Sequence, residues 1–215
     1  MNQSLYIIGA GGHATSIAEI AIAANFNLRA FISHDSSATE LWGLPILTAI
    51  PQKIESNSII LAIAIGDNYQ REMVFKNLMD QFPIESFPAL IHPSASIALK
   101  ATVGFGTTIH QNATVGSNTT VGNFCTLNSG SITDHDCQIS DFASLGPGAN
   151  LGGNVTLGHR AVVAIGSTVR HGVTIAEDSI LGAASYAHIP TEAKTVSVGS
   201  PARIIRTREA GDKYL

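Results

Sequence analysis

Aliphatic side chains recur at every sixth residue over a long stretch of the chain. Counting by six from Ile97 to Leu181 gives fifteen positions, and all of them except Thr133 carry isoleucine, leucine or valine. The residue two before each is small or β-branched, from Ala95 to Ser179, and glycine follows the aliphatic residue seven times. An α-helix has a period of 3.6 and disfavours glycine and β-branched residues, so this stretch is not helical.

A coil of three short strands per turn, with six residues on each face, explains the period. The aliphatic residue fills the interior, the small residue fits the narrow corner, and glycine relieves the turn. The pattern predicts a left-handed parallel β-helix from about residue 95 to residue 183, with 18 residues per turn and five turns. The side faces of a lone prism would stay partly bare, and only 13% of the residues are charged. We therefore expect a homotrimer.

The first 90 residues have a different pattern. Apolar strands are predicted at 5–8, 28–32 and 58–65, a glycine turn at 9–12, and helices at 14–24 and 69–81. Strand, glycine turn, helix and strand are typical of a small parallel sheet. The sequence thus predicts a Rossmann-like domain over 1–90 and the prism with a short extension over 91–215.

The glycine turn fits the pattern G-x-G-x-x-A between Gly9 and Ala14. Its backbone amides at a helix N-terminus would suit a phosphate group. A dinucleotide site also needs an acidic residue at the end of the second strand, where this chain has Ser33 and His34. The turn therefore favours a phosphate-bearing nucleotide over a redox cofactor, and a turn that needs glycine only for packing stays open.

Charge and cysteine content narrow the class of protein. The formal net charge of −4 argues against nucleic acid or an anionic membrane as a partner. No run of 18 apolar residues occurs, and Cys125 and Cys137 have no metal-binding spacing. We expect a cytoplasmic protein with free, buried thiols. A zinc enzyme of the γ-carbonic anhydrase type needs a His-x4-His pair, and no two histidines are five apart.

Three motifs in one order carry a family resemblance: residues 9–13 (GAGGH), 66–68 (GDN) and 128–136 (NSGSITDHD) within the repeat. The chain resembles the nucleotide-sugar N-acyltransferases that act on 4-amino-4,6-dideoxy sugars, such as the bacillosamine and perosamine acetyltransferases. It is also similar to the related sialic-acid O-acetyltransferases. The similarity extends to the closing residues 199–202 (GSPA).

The resemblance implies a homotrimer that uses acetyl-CoA and no metal in glycan biosynthesis. It implies that His135 is the general base and that Asp136 raises its basicity. The positions implied to bind the nucleotide sugar are Gly11, Gly12, His13, Ser33, His34, Gly66, Asp67, Asn68 and Asn128. Those implied to bind acetyl-CoA are Ser144, Gly153, Ile165 and Ala183, and the Gly153 amide would also stabilise the oxyanion.

The residues themselves add two points about the histidines. Thr133, the one break in the aliphatic row, lies two residues before His135, and such lapses are often functional. The side chains of neighbours in an extended chain point apart, so the pattern does not decide whether Asp134 or Asp136 contacts the imidazole. We expect His110 to be a solvated turn residue. By the 18-residue repeat, His171 shares the edge of His135.

Two departures from the family pattern leave alternatives open. Many relatives carry a second histidine where this chain has Ser144, which puts binding of the thioester end in doubt. Ser33 and His34 replace the acidic pair that reads the nucleotide in some relatives, so UDP, GDP and dTDP all remain open. An O-acetyltransferase and a non-catalytic sugar-nucleotide-binding scaffold are the alternative functions.

Overall fold

The computed structural model describes residues 3–51 and 59–212. Its first part is an α/β domain whose elements, in chain order, are β1 (Ser4–Ile8), α1 (Gly12–Ala23), β2 (Asn27–Ile32), β3 (Glu40–Leu41), β4 (Leu44–Leu47), β5 (Ile59–Ile63) and α2 (Asn68–Leu78). The sheet order is β3-β4-β2-β1-β5, and all neighbours are parallel except the β3–β4 pair. The sequence did not predict the β3–β4 hairpin, and residue 58 of the predicted third strand lies outside the described residues.

Both faces of the central strands are covered, which explains their continuous apolar runs. All five residues of β5 are buried, and α1 packs its own buried side chains against one side of the sheet. Phenylalanines near α2 and the prism cover the other side. The turns after β1, β2 and β5 leave the same edge of the sheet because these strands are parallel.

The second part is a parallel β-helix with three faces, as predicted, preceded by a short 3₁₀ helix (Ile84–Ser86). The first face consists of β6 (Leu90–Ile91), β9 (Thr108–Ile109), β12 (Thr126–Leu127), β15 (Ser144–Leu145), β18 (Val162–Val163), β21 (Ile180–Leu181) and β23 (Thr195–Gly199), with β24 (Ala202–Thr207) at its end. The second face consists of β7 (Ser96–Ile97), β10 (Thr114–Val115), β13 (Ile132–Thr133), β16 (Asn150–Leu151), β19 (Thr168–Val169) and β22 (Tyr186–Ala187). The third face consists of β8 (Thr102–Val103), β11 (Thr120–Val121), β14 (Gln138–Ile139), β17 (Thr156–Leu157) and β20 (Thr174–Ile175).

Through the regular turns of the prism, a strand pairs in parallel with the strand 18 residues further on, as Thr114 does with Ile132, whereas β21 pairs with β23 at a spacing of 16 and β24 is antiparallel. The aliphatic row fills the interior, and the small residues beside it are buried at the corners. Thr133 is fully buried in this row, where its hydroxyl donates to the Thr114 carbonyl at 2.9 Å. A polar side chain is therefore accommodated inside the prism without an unpaired hydroxyl.

We name the edges of the prism by the faces they join. The first edge joins the first and second faces and includes residues 128–131, the second edge joins the second and third faces and includes residues 134–137, and the third edge joins the third and first faces and includes residues 122–125. The front domain packs on the third edge, where the Phe75 and Phe124 rings lie 4.2 Å apart between centroids. The α/β domain and the prism thus share one apolar cluster.

The cysteines and the helices can be compared with the sequence predictions. Cys125 and Cys137 are free and buried, as expected, and burial raises the pKa of Cys125 to about 12. None of the helices in the described ranges is long and apolar enough to cross a membrane.

Candidate active site

His135 lies in a turn at the second edge, next to two carboxylates. Its Nδ1 is 2.7 Å from Asp136 Oδ2, whereas Asp134 Oδ1 accepts a hydrogen bond from the His135 backbone N–H at 2.8 Å. Asp136 adopts a left-handed backbone (φ 59°), which lets its side chain turn back toward the imidazole. Asn118, one 18-residue repeat earlier, donates to Asp136 Oδ1 at 3.1 Å. Asp136 is thus the partner of the ring, and Asp134 caps the turn.

This arrangement makes the imidazole more basic. The hydrogen bond to Asp136 raises the pKa of His135, and the charge of Asp134, whose Oδ2 is 4.0 Å from Nε2, raises it further. The same hydrogen bond lowers the pKa of Asp136, with Asn118 as the second cause. Because the Asp136 carboxylate accepts from Nδ1, the proton of the neutral ring lies on Nδ1 and the lone pair of Nε2 is available.

Gly153 lies beside the free nitrogen of His135. A Cβ at position 153 would be 2.6 Å from His135 Nε2, so only glycine leaves the ring in this position. The Gly153 carbonyl accepts a hydrogen bond from Gly172, but its N–H has no hydrogen-bond partner in the described part of the chain. A base nitrogen and an available amide donor therefore occupy the same small region.

The second edge continues from Gly153 to His171, as the repeat predicts. These residues line an open cavity of about 690 Å³, together with the outer side of the second face. The strands of a sheet lie about 4.8 Å apart, so His171 is about 10 Å from His135 along the edge. His135 is 59% exposed at its side chain, and a ligand can approach it from outside the prism.

A second cavity, of about 490 Å³, runs along the first face and the first edge, and we call it the first-face groove. The structure brings six of the predicted site residues into its wall: His13, Gly66, Asn128, Ser144, Ile165 and Ala183. Most of its remaining lining is aliphatic, from Val162, Ile180, Val196, Val198 and Ile205. The groove is thus polar where the front domain meets the prism and apolar toward the end of the chain.

The first edge explains why the groove opens where it does. At equivalent positions, 18 residues apart, it carries His110, Asn128, Gly146, Ala164 and Gly182. The side chains shrink beyond Asn128, and the space that they leave belongs to the groove. A Cβ at position 146 would be 2.6 Å from the Ile165 backbone nitrogen, so this turn also requires glycine.

Two stacked histidines, His13 and His110, lie where the front domain meets the first edge, and His13 also lines the groove. The ring centroids of His13 and His110 are 5.9 Å apart, and the Nε2 atoms of both are buried with no hydrogen-bond partner in residues 3–51 and 59–212. Burial lowers the pKa of each to about 4, assisted by the charge of Arg71 for His13 and of His13 for His110. The expectation of a solvated His110 was wrong, because the front domain covers this part of the first edge and leaves the residue 2% exposed.

The glycines of the front-domain turn differ in how closely the rest of the chain packs against them. Gly9 has φ 115°, and a Cβ there would be 2.8 Å from the Ala64 carbonyl oxygen, so packing alone requires glycine. Gly11 is the N-cap of α1 and Gly12 its first residue, and no atom of the described residues lies within 4 Å of a Cβ placed on either. Space for a ligand is therefore present at these two residues and not at Gly9.

In the turn after β5, the side chains of Asp67 and Asn68 make hydrogen bonds within the chain. Asp67 caps α2 by accepting from the Gln70 N–H at 2.8 Å. Asn68 is 3% exposed and donates to the Arg160 carbonyl of the prism at 3.0 Å. Of the three predicted residues in this turn, only Gly66 lines the first-face groove.

Ser33 and His34 lie apart from both cavities described above. The Ser33 N–H donates to the Leu47 carbonyl at 2.9 Å, and His34 is exposed. His34 lines a third cavity, of about 430 Å³, with largely apolar neighbours that include Ile32 and Val74 and with the amides of Asn77 and Gln81. The predicted site residues therefore fall into three groups within one chain.

Sequence reasoning missed two residues of the site region. Asn118 supports Asp136, and the 18-residue repeat would have found it. Arg71 reaches from α2 to the wall of the groove, and no periodicity indicates such a contact. Among the residues that the structure describes, no group of three or more His, Cys, Asp or Glu side chains could hold a metal ion.

Comparison with known proteins gives consistent results. The PglD N-terminal domain family matches residues 4–78. PerB from Caulobacter crescentus, solved in complex with CoA and GDP-perosamine, has a TM-score of 0.87 and 29% sequence identity, over 95% of this chain and 98% of PerB. The acetyltransferase domain of PglB from Neisseria gonorrhoeae FA1090, solved with acetyl coenzyme A, has a TM-score of 0.88 and 26% identity, over 95% and 100%.

WeeI from Acinetobacter baumannii AYE shares the fold, with a TM-score of 0.74 and 22% identity over 94% of this chain and all of WeeI. No curated protein matches the chain by sequence. Another solved complex with CoA and GDP-perosamine, at 29% identity, is described as a GDP-perosamine N-acetyl transferase. As its motifs predicted, the chain is therefore similar over nearly its whole length to solved nucleotide-sugar N-acetyltransferases, and residues 4–78 match the PglD N-terminal domain family.

Proposed function

We propose that this protein transfers an acetyl group from acetyl-CoA to the 4-amino group of a nucleotide-linked 4-amino-4,6-dideoxy sugar. The observation that carries the proposal is the second-edge turn, where Asp136 contacts Nδ1 of His135 and Nε2 lies next to Gly153. The relatives solved with CoA, acetyl-CoA and GDP-perosamine support the choice of the two substrates.

In the proposed reaction the sugar amine attacks the thioester carbonyl carbon. His135 Nε2 takes a proton from the attacking nitrogen, and the ring charge that results is stabilised by Asp136. The Gly153 N–H donates to the oxyanion of the tetrahedral intermediate. When the carbon–sulfur bond breaks, the CoA thiolate leaves and receives the proton, which gives an amide and free CoA.

The acyl donor fits the first-face groove in chemical character. Its apolar floor would contact the pantetheine arm, with Ile165 and Ala183 on one wall and Ser144 where the polar end begins. We assign the polar end, with His13, Gly66 and Asn128, to the acceptor sugar. The amides of Gly11 and Gly12 at the start of α1 would bind its phosphates.

The two halves of this site lie on different edges of one prism. Asn128 is on the first edge and Asp134 on the second, so the whole width of the second face separates them. The groove and the His135 cavity share no lining residue. His135 therefore would act on a donor bound in the groove of a neighbouring copy, and a homotrimer around a threefold axis supplies three such sites.

The test is a panel of UDP-, GDP- and dTDP-linked 4-amino-4,6-dideoxy sugars mixed with acetyl-CoA, with release of free thiol as the readout. We expect turnover with at least one amino sugar and an N-acetylated product by mass spectrometry. Turnover only on a sugar hydroxyl would replace this proposal with an O-acetyltransferase. Binding of both ligands without turnover on any sugar would indicate a scaffold.

A further inference from the structure

Arg71 is buried where the front domain meets the prism. It lies in the first turn of α2, and with 2% exposure it is among the largest fully buried side chains of the chain. Burying a guanidinium is costly unless its donors meet acceptors in good geometry. The hydrogen-bond acceptors around this side chain therefore indicate its structural role.

The guanidinium joins the two domains through backbone carbonyls. On the front-domain side, Nη1 donates to Ile65 O at 2.8 Å and to Gly66 O at 3.2 Å. On the prism side, Nε donates to Phe124 O at 2.8 Å and Nη2 to Phe142 O at 3.0 Å. Phe124 and Phe142 are equivalent residues of the third edge, 18 positions apart. The planar fork fixes their distance from the turn after β5.

The same side chain reaches the first-face groove through Ser144. Arg71 Nη2 donates to Ser144 Oγ at 3.2 Å, and Ser144 Oγ donates to Asn68 Oδ1 at 2.6 Å. Arg71 Nη2 also donates to Asn68 Oδ1, at 2.6 Å. A hydroxyl has one proton, and Asn68 receives it. Ser144 consequently presents only acceptor capacity to the groove, of which it forms part of the wall.

We propose that Arg71 is a positioning residue that assembles the groove from both domains. It holds Gly66 of the front domain and Ser144 of the prism at a fixed separation, and it orients Ser144 Oγ to accept a hydrogen bond from an amide N–H of the acyl donor's pantetheine arm. This inference rests on the proposed function. It assigns to Arg71, through Asn68 and Ser144, the task of fixing the thioester end of the donor.

Arg160 offers a matched control at the same junction. Its guanidinium also links α2 to the prism, by ion pairs with Glu72 and Asp178. It meets Asn68 only through its backbone carbonyl, which Arg160→Met would keep, and the wall of the first-face groove does not include it. Removing either arginine breaks a contact between the domains, but only Arg71 contacts a residue of the groove wall.

The experiment compares Arg71→Met and Arg160→Met. We expect both variants to unfold at a lower temperature, and only Arg71→Met to lose kcat/KM for acetyl-CoA, by about 3- to 10-fold, as for a lost hydrogen bond between neutral groups. Coenzyme A alone, titrated by calorimetry, should bind Arg71→Met more weakly by a similar factor. Arg71→Lys should recover thermal stability better than CoA affinity, because lysine lacks the planar fork.

Equal kcat/KM losses in the two methionine variants, or wild-type CoA affinity in Arg71→Met, would overturn the inference. If Arg71→Met does not fold, Ser144→Ala takes its place, and it should weaken CoA binding with little change in unfolding temperature. Unchanged CoA binding in Ser144→Ala would equally contradict the account. Failure of the wild-type protein to acetylate any amino sugar would instead contradict the proposed function, because the CoA titration does not depend on an acceptor.

Discussion

The first and second edges of the prism both carry histidine, but they give it opposite properties. His110 on the first edge is buried against His13, its Nε2 has no hydrogen-bond partner among the described residues, and its pKa is lowered to about 4. His135 on the second edge is exposed, hydrogen-bonded to Asp136, and has a raised pKa. A shared backbone scaffold thus produces a neutral imidazole at one edge and a basic one at the next.

The difference comes from what covers each edge. The front domain packs over His110 and removes water from it, and desolvation disfavours the charged ring. On the second edge the side chain of His135 stays 59% exposed, and two acidic residues of the turn lie next to it. The first edge is therefore suited to hold a neutral ligand group, and the second to accept a proton.

Among the changes considered, replacing His135 should have the largest effect on the reaction rate. His135→Ala should lower kcat by about 10² to 10⁴, the usual contribution of a general base, with the protein still folded. Steady-state thiol release with the preferred amino sugar measures it. His171→Ala, about 10 Å along the same edge, is the matched control and should leave kcat close to wild type. Near wild-type kcat in His135→Ala would move the base elsewhere.

Gly153→Ala should come next, because it displaces the base without removing it. The new Cβ would be 2.6 Å from His135 Nε2, so the ring must shift. A displacement of about 1 Å can cost about 10² in rate, and we expect a kcat loss of that size with little change in unfolding temperature. An unaffected kcat would show that the observed ring position is not the catalytic one.

The buried histidine of the first edge should appear in the acid stability of the protein. With a folded-state pKa of about 4 and an unfolded value of about 6.5, His110 takes up a proton on unfolding between those pH values. The free energy of unfolding is not reduced by His110 above pH 6.5. It falls by up to about 3 kcal/mol as the pH is lowered toward 4, because the unfolded chain binds the proton more readily. His110→Leu should flatten the pH dependence of urea unfolding in this window. An unchanged slope would show that His110 titrates normally.

The smallest expected effect is a shift in the pH profile. Asp136→Asn removes the charge while keeping a residue that tolerates the left-handed backbone at this position. Because Asp136 is the main cause of the raised pKa of His135, the acidic limb of the kcat profile should move to lower pH. Asp134→Asn should move it less, since that carboxylate is 4.0 Å from Nε2. A larger shift in Asp134→Asn would reverse the assignment of partners.

The period of six predicted the prism because interior, corner and turn positions recur every six residues, and each of these positions accepts only certain residue types. The same repeat would have connected Asn118 to Asp136, which lies 18 residues later. It could not predict the burial of His110 or the role of Arg71, because both depend on how the front domain packs on the prism. Arg71 meets its prism partners 53 to 73 residues away, and such contacts leave no pattern in the sequence.

The central claim is that the base of one copy acts on a donor held by another, and mixed assemblies test it most directly. His135→Ala lacks the base, and Ala183→Trp should block the first-face groove, so each variant alone should be nearly inactive. Co-expressed, the two chains would form assemblies in which an intact His135 meets an intact groove, and the account predicts that activity returns. Mixed oligomers that assemble normally but stay as inactive as the single variants would contradict a shared site.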